Sequence, residues 1–141
     1  MPATINGSQS GTVGLINSLT AVNSTSGTSI NFTGIPSGAR RITVLFNGVS
    51  LSGSAYILVQ VGSGSVVATG YVGYAFTQQN AGTPSVGSYT TGFAIITNSA
   101  ASTVNGKLTL ELINGSTYVA SAALAGLNVA SSAVLSALHS R

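Results

Sequence analysis

The sequence offers few side chains that could carry out chemistry. Glu111 is the only carboxylate side chain, His139 is the only histidine, and there is no cysteine. A glycosidase needs two carboxylates and a Ser-His-Asp triad needs an aspartate, so a single chain can build neither. One Glu and one His also fall short of the ligand cluster that a metal site requires. We therefore expect no catalytic residue, no metal ligand, no cofactor and no enzymatic activity.

The remaining candidates for function are surface contacts. Two adjacent arginines precede a predicted strand, and one of them should face outward, either to bind an acidic surface or only to blunt the strand end. Tyrosines beside a predicted polar loop at 78–88 suit contact with carbohydrate or protein, although strand alternation places half of this aromatic group in the core. The candidate contacts are Arg40, Arg41, Tyr71, Tyr74 and Tyr89, and Phe76 belongs to the same aromatic group.

Charged residues are scarce in this chain. They make up 4% of it, with a net charge of +3, whereas about a quarter of an ordinary domain is charged. Scattered cations do not form the basic stripe that nucleic acid requires, so we expect no nucleic-acid partner. Nearly half of the residues are Ser, Thr, Asn or Gly, and such a surface lacks the repulsion that keeps copies apart. We expect an oligomer or a lattice component; the alternative is a poorly soluble monomer.

The N-terminal residues 1–27 are rich in Gly, Ser, Thr and Asn. They form either a flexible arm or an extended segment that docks on a larger scaffold, and their apolar side chains favour docking: Val13, Leu15, Ile16, Leu19 and Val22. The N-terminus lacks the basic and apolar regions of a secretory signal. No run reaches the ~18 apolar residues of a membrane span, so no membrane insertion is expected.

The most prominent strand signal lies at 40–61. Apolar residues alternate over 42–46, Asn47-Gly48 is typical of a tight turn, and 55–61 is nearly all apolar. This pattern predicts a central hairpin whose second strand is covered on both faces.

A second hairpin is predicted around Asn114-Gly115. Leu108, Leu110 and Leu112 should point inward before the turn. The returning strand should bury one face made of Tyr118, Ala120, Ala122 and Leu124. Lys107 and Glu111 share the outward face and are expected to pair weakly.

Further strands are predicted at 28–33, 66–77, 89–97 and 127–138, which gives seven to nine in total. Short strands with frequent turn signals predict an all-β fold, a β-sandwich spanning 28–141, with the jelly roll as the expected arrangement.

Three motifs resemble a family of small bacteriophage proteins. They are FTGIPSG at 32–38, RITVLFNGVS at 41–50 and LVQVGSG at 58–64, and the resemblance extends over residues 28–97. Members of that family are uncharacterised or are virion proteins associated with tail fibres. Relatives continue past 135–141 with another strand, which implies either an uncovered edge strand here or an incomplete C-terminus.

The resemblance leads us to expect a non-enzymatic virion protein on the particle exterior, a homotrimer bound to other virion proteins and assembled in the host cytoplasm. A tail-fibre or receptor-binding protein would attach to a host surface glycan or protein. The alternative is a capsid decoration protein that stabilises the head, and a third reading is a soluble lectin-like carbohydrate-binding domain. Copy number per particle separates the first two.

Overall fold

The computed structural model describes residues 16–25, 27–53, 55–79, 83–97, 99–100, 102–128 and 131–140. The chain divides into two units, residues 1–35 and 36–141. In the first unit, the described residues form no helix or strand, and every one of them is exposed. The strand predicted at 28–33 is therefore wrong, because no ladder of backbone hydrogen bonds forms along it.

The second unit is all-β. Its described residues form eight strands and no helix. In chain order the strands are β1 (Arg41–Val49), β2 (Tyr56–Val59), β3 (Val72–Gln79), β4 (Ser85–Tyr89), β5 (Phe93–Ile96), β6 (Thr103–Asn114), β7 (Thr117–Asn128) and β8 (Ser131–Ser140). The sequence prediction of an all-β chain with seven to nine short strands is confirmed.

The strands form two antiparallel sheets. Six of them lie in the order β1-β6-β7-β8-β3-β4, while β2 and β5 pair with each other. Long-range pairings such as β1 with β6 and β3 with β8 show that the large sheet is not a chain of hairpins. The small sheet packs against the large one through β5 and β6, which makes the arrangement sandwich-like. The jelly-roll topology stays a prediction.

The core lies between one face of the large sheet and the small sheet. Leu108, Leu110 and Val104 of β6 are fully buried and cluster with Phe93 and Ile95 of β5. Burying each such side chain contributes about 1.5–3 kcal/mol, so this contact between sheets is a principal source of stability. A smaller cluster of Ala75, Ala94 and Ile96 extends the core toward β3.

The predicted second hairpin is confirmed. β6 and β7 pair along their whole length around the turn at Asn114-Gly115. Leu108 and Leu110 point inward as expected, Leu112 is half-buried, and the opposite strand buries Ala120 and Leu124.

The predicted central hairpin is wrong. β1 runs through Asn47-Gly48 without turning back, and it pairs with β6 instead of β2. The register shifts between Phe46 and Val49, and Gly48 has a φ of 65°. Its backbone N–H donates to Oδ1 of Asn105, at 2.8 Å. The positive φ that Asn-Gly allows therefore forms a bulge within a strand here, rather than the tight turn that the sequence predicts.

Two other sequence expectations are corrected. The segment 55–61 is not covered on both faces: Tyr56 and Leu58 of β2 are 53% and 37% exposed, because β2 belongs to the small sheet and faces the core with one side only. The polar loop expected at 78–88 is shorter, since β3 extends to Gln79 and β4 begins at Ser85. Gln78 and Gln79 pair with β8, and the residues from Ser85 to Ser88 pair with β3, so these polar residues belong to the sheet.

Candidate interaction surface

The outer face of β3 and β4 exposes a row of large apolar side chains. Along β3, Ala75 and Thr77 point into the core, so the alternate residues point away from it. Phe76 lies opposite Val86 in the β3–β4 register. We call the exposed set the outer apolar strip: Val72, Tyr74, Phe76 and Val86, which are 66%, 64%, 42% and 66% exposed. Contiguous exposed apolar side chains mark interaction surfaces more often than isolated ones do.

Tyr89 lies on the opposite face of the same strand pair. It pairs in register with Gly73, whereas Tyr74 pairs with Ser88, so the two tyrosines alternate to different sides. The ring of Tyr89 is half-buried and meets the ring of Tyr56 edge-on, with 4.9 Å between centroids. The predicted contact tyrosines Tyr74 and Tyr89 therefore do not form one surface.

Among the residues that the structure describes, Tyr89 is the one whose pKa is shifted by its surroundings. Burial disfavours its charged form and raises its pKa above the ordinary value of 10.0, and the electrostatic interaction with Tyr56 raises this pKa further. Tyr89 is therefore uncharged at neutral pH.

Tyr71 was predicted as a surface contact, and the structure corrects this. Its side chain is only 1% exposed. Its ring meets Phe93 edge-on, and its hydroxyl hydrogen-bonds to the backbone of Val61 and Val67. Tyr71 directly precedes β3, and its position in the core is structural.

The exposed charged residues lie near the opposite edge of the large sheet, on β1 and β6. Arg41 donates to Oε1 of Glu111 from Nε at 2.9 Å and from Nη2 at 2.5 Å. The residues are directly opposite each other on β1 and β6. The predicted pairing of Lys107 with Glu111 is wrong, because the cross-strand neighbour is closer than a residue four positions along the same strand. Arg40 is exposed, and its role as a surface contact stays a prediction.

The predicted docking residues lie in the N-terminal unit. Ile16, Leu19 and Val22 are 95%, 38% and 51% exposed. Val13 and Leu15 lie outside the described residues. The exposed apolar side chains are available to bind another surface, and docking stays a prediction.

Potential catalytic and metal-binding groups are sparse. Within the described ranges, no group of three or more His, Cys, Asp or Glu side chains could hold a metal ion. In the same part of the chain, no helix is long and apolar enough to cross a membrane. The absence of enzymatic activity stays a prediction from the sequence.

Sequence reasoning missed several members of this surface. Val72 and Val86 were not singled out, and Tyr56 was assigned to a buried strand. A period-two pattern did exist at Val72, Tyr74 and Phe76. It shows that these side chains share a face, but only the packing of the opposite face, where Ala75 clusters with Ala94 and Ile96 of β5, shows that this face is outward.

Comparisons of this chain with protein-family models, with curated proteins and with solved structures found no match. The candidate surface is therefore interpreted from its own geometry and from the sequence motifs.

Proposed function

We propose that the protein is a non-enzymatic structural component of the bacteriophage particle exterior, of the tail-fibre or receptor-binding type. In this role it binds copies of itself and other virion proteins, and the homotrimer stays a prediction from the sequence. A host surface glycan or protein would be its external ligand. The phage assignment derives from the motifs at 32–38, 41–50 and 58–64.

The outer apolar strip is the observation that carries the structural role. Four large apolar side chains are exposed on two paired strands. In a chain with 4% charged residues, little electrostatic repulsion opposes burial of this strip against another protein. Burying one such side chain at an interface contributes on the order of 1.5–3 kcal/mol before association costs are subtracted.

A capsid decoration protein is the second candidate. The exposure of Ile16, Leu19 and Val22 favours it, because an apolar segment outside the β-domain suits docking on a large shell. A full-length variant with all three changed to Ser should fold normally, since the three side chains are exposed. If the segment docks, this variant is lost from particles, while Ile30→Ser, a change at another exposed apolar position, is retained.

The deciding experiment is quantitative mass spectrometry of purified particles from the phage that encodes the chain. A copy number comparable with that of the tail proteins supports the fibre role, and one comparable with that of the major capsid protein supports decoration. Absence from particles contradicts both. Absence combined with binding on a glycan array would indicate the lectin-like alternative.

A further inference from the structure

The large sheet ends in two edge strands with contrasting chemistry. The β1 edge carries Arg41, preceded by Arg40, and contains the bulge at Gly48. Charges and bulges are the devices that keep edge strands from pairing with other chains. The β4 edge has the sequence Ser-Val-Gly-Ser-Tyr, without a charged residue; Pro84 lies directly before the strand, outside the paired residues. Its register with β3 runs without a shift from Gly73 to Thr77.

The distribution of charge increases this contrast. All charged side chains in the described ranges lie on or next to β1 and β6, and Arg141 is outside those ranges. β6 and β4 are separated by four strand spacings in the sheet order, which is about 19 Å. The Debye length is about 8 Å at physiological ionic strength, so these charges scarcely act at the β4 edge.

The β4 edge also presents unpaired backbone groups. Among the described strands, only β3 pairs with β4. In an antiparallel ladder, alternate residues direct their N–H and C=O groups away from the partner strand. Such an edge is a template for another strand, and nothing in the composition of β4 opposes pairing with an identical, uncharged strand.

We propose that β4 pairs antiparallel with β4 of a second copy, across a two-fold axis at Gly87. Gly87 is the central residue of the strand, so Val86 of one copy lies opposite Ser88 of the other. The contact joins two large sheets into one and places the two outer apolar strips side by side on the same face. This inference rests on the proposed structural role, and it replaces the homotrimer predicted from the sequence with a two-fold contact between two copies.

The test adds one charge to each sheet edge. Ser88 on β4 and Thr43 on β1 are both exposed polar residues, so Ser88→Lys and Thr43→Lys alter net charge equally. Sedimentation velocity over a concentration series should show dimers for the unchanged chain. Ser88→Lys should weaken dimerisation at least about tenfold, because it sets like charges close together across the axis. Thr43→Lys should have no effect, and circular dichroism checks that both variants fold.

A charge pair tests the register. Val86→Glu alone should also weaken dimerisation, but an equimolar mixture of Val86→Glu and Ser88→Lys chains should form heterodimers, since opposite charges then face each other. An unchanged chain that stays monomeric overturns the proposal, as does equal weakening by Ser88→Lys and Thr43→Lys. A trimer also overturns it, because a two-fold contact through one edge strand joins only two copies. Any of these results leaves the virion role intact, because that role is tested by particle composition.

Discussion

The hydroxyl oxygen of Tyr71 accepts a hydrogen bond from the backbone N–H of Val61 at 3.0 Å. The same hydroxyl donates to the carbonyl oxygen of Val67, also at 3.0 Å. The ring packs edge-on against Phe93, with 5.0 Å between centroids. One buried side chain therefore fixes the connection between β2 and β3 to the core.

We predict that Tyr71→Phe lowers the free energy of unfolding by about 1–3 kcal/mol, because it leaves a partly buried backbone donor and a partly buried acceptor without this partner. The ring and its packing remain, so the fold should persist. Urea denaturation of the full chain measures the change. Tyr74→Phe removes the same atom from an exposed ring and should change stability by less than about 0.5 kcal/mol. Equal effects of the two variants would refute the structural role of the Tyr71 hydroxyl.

The sequence predicted those parts of the fold that depend on neighbouring residues. Alternation around Asn114-Gly115 identified both strands of the β6–β7 hairpin, because a tight turn brings adjacent residues together. It failed at Asn47-Gly48, where the partner strand begins more than fifty residues later, at Thr103. A local pattern identifies a strand and its faces, but it does not identify a distant partner.

Gly106 should tolerate substitution less well than Gly48. A Cβ at Gly106 would lie 2.3 Å from the carbonyl oxygen of Ala123 on β7, and the φ of Gly106 is 127°. Because the backbone of β6 or β7 would have to shift, we expect Gly106→Ala to lower the free energy of unfolding by more than about 3 kcal/mol. A Cβ at Gly48 meets open space, so Gly48→Ala should cost only the ~1–2 kcal/mol of a left-handed conformation.

Thermal unfolding of the two glycine variants tests this order. Gly48→Asn serves as the control, because Asn accepts the left-handed conformation more readily than Ala and should be the least destabilising of the three. A Gly106→Ala chain as stable as Gly48→Ala would contradict the close approach of β6 and β7.

The ion pair between Arg41 and Glu111 should contribute little to stability. Their side chains are 69% and 49% exposed, and exposed pairs contribute about 0–1 kcal/mol. A double-mutant cycle with Arg41→Ala and Glu111→Gln should give a coupling in this range that declines in high salt. The matched cycle of Lys107→Ala with Glu111→Gln should give no coupling, since these residues are ~13 Å apart along β6. Equal coupling in both cycles would contradict the cross-strand pairing.

The candidate surface was predictable only in part. Tyr74 and Tyr89 were recognised as candidate contacts from residue type, but the register of β3 with β4 sends them to opposite faces. Tyr71 was misassigned because burial depends on β5, which supplies Phe93. The exposure of the outer apolar strip depends on which face of β3 packs against β5, a contact between distant segments that the local pattern does not specify.

Tyr89 should make stability depend on pH in the alkaline range. In the folded chain its pKa is raised above 10.0 because burial disfavours the phenolate, and the electrostatic interaction with Tyr56 adds to this effect. Below the ordinary pKa both folded and unfolded chains hold the proton, and the stabilisation is fully present. Above it the unfolded chain loses the proton first, so stability falls as pH rises toward the folded pKa of Tyr89.

Urea midpoints measured from about pH 8 to about pH 12 test this dependence, since the range brackets the ordinary pKa of tyrosine. The Tyr89→Phe chain should lose less stability across this range than the unchanged chain. The Tyr56→Phe chain should keep the part of the pH dependence that comes from burial of Tyr89. It should lose the part that comes from the electrostatic interaction of Tyr56 with Tyr89. Tyr74→Phe, which changes an exposed tyrosine on the other face, should retain the full dependence. If Tyr89→Phe and Tyr74→Phe behave alike, the half-buried Tyr56–Tyr89 pair is not the source of the alkaline destabilisation.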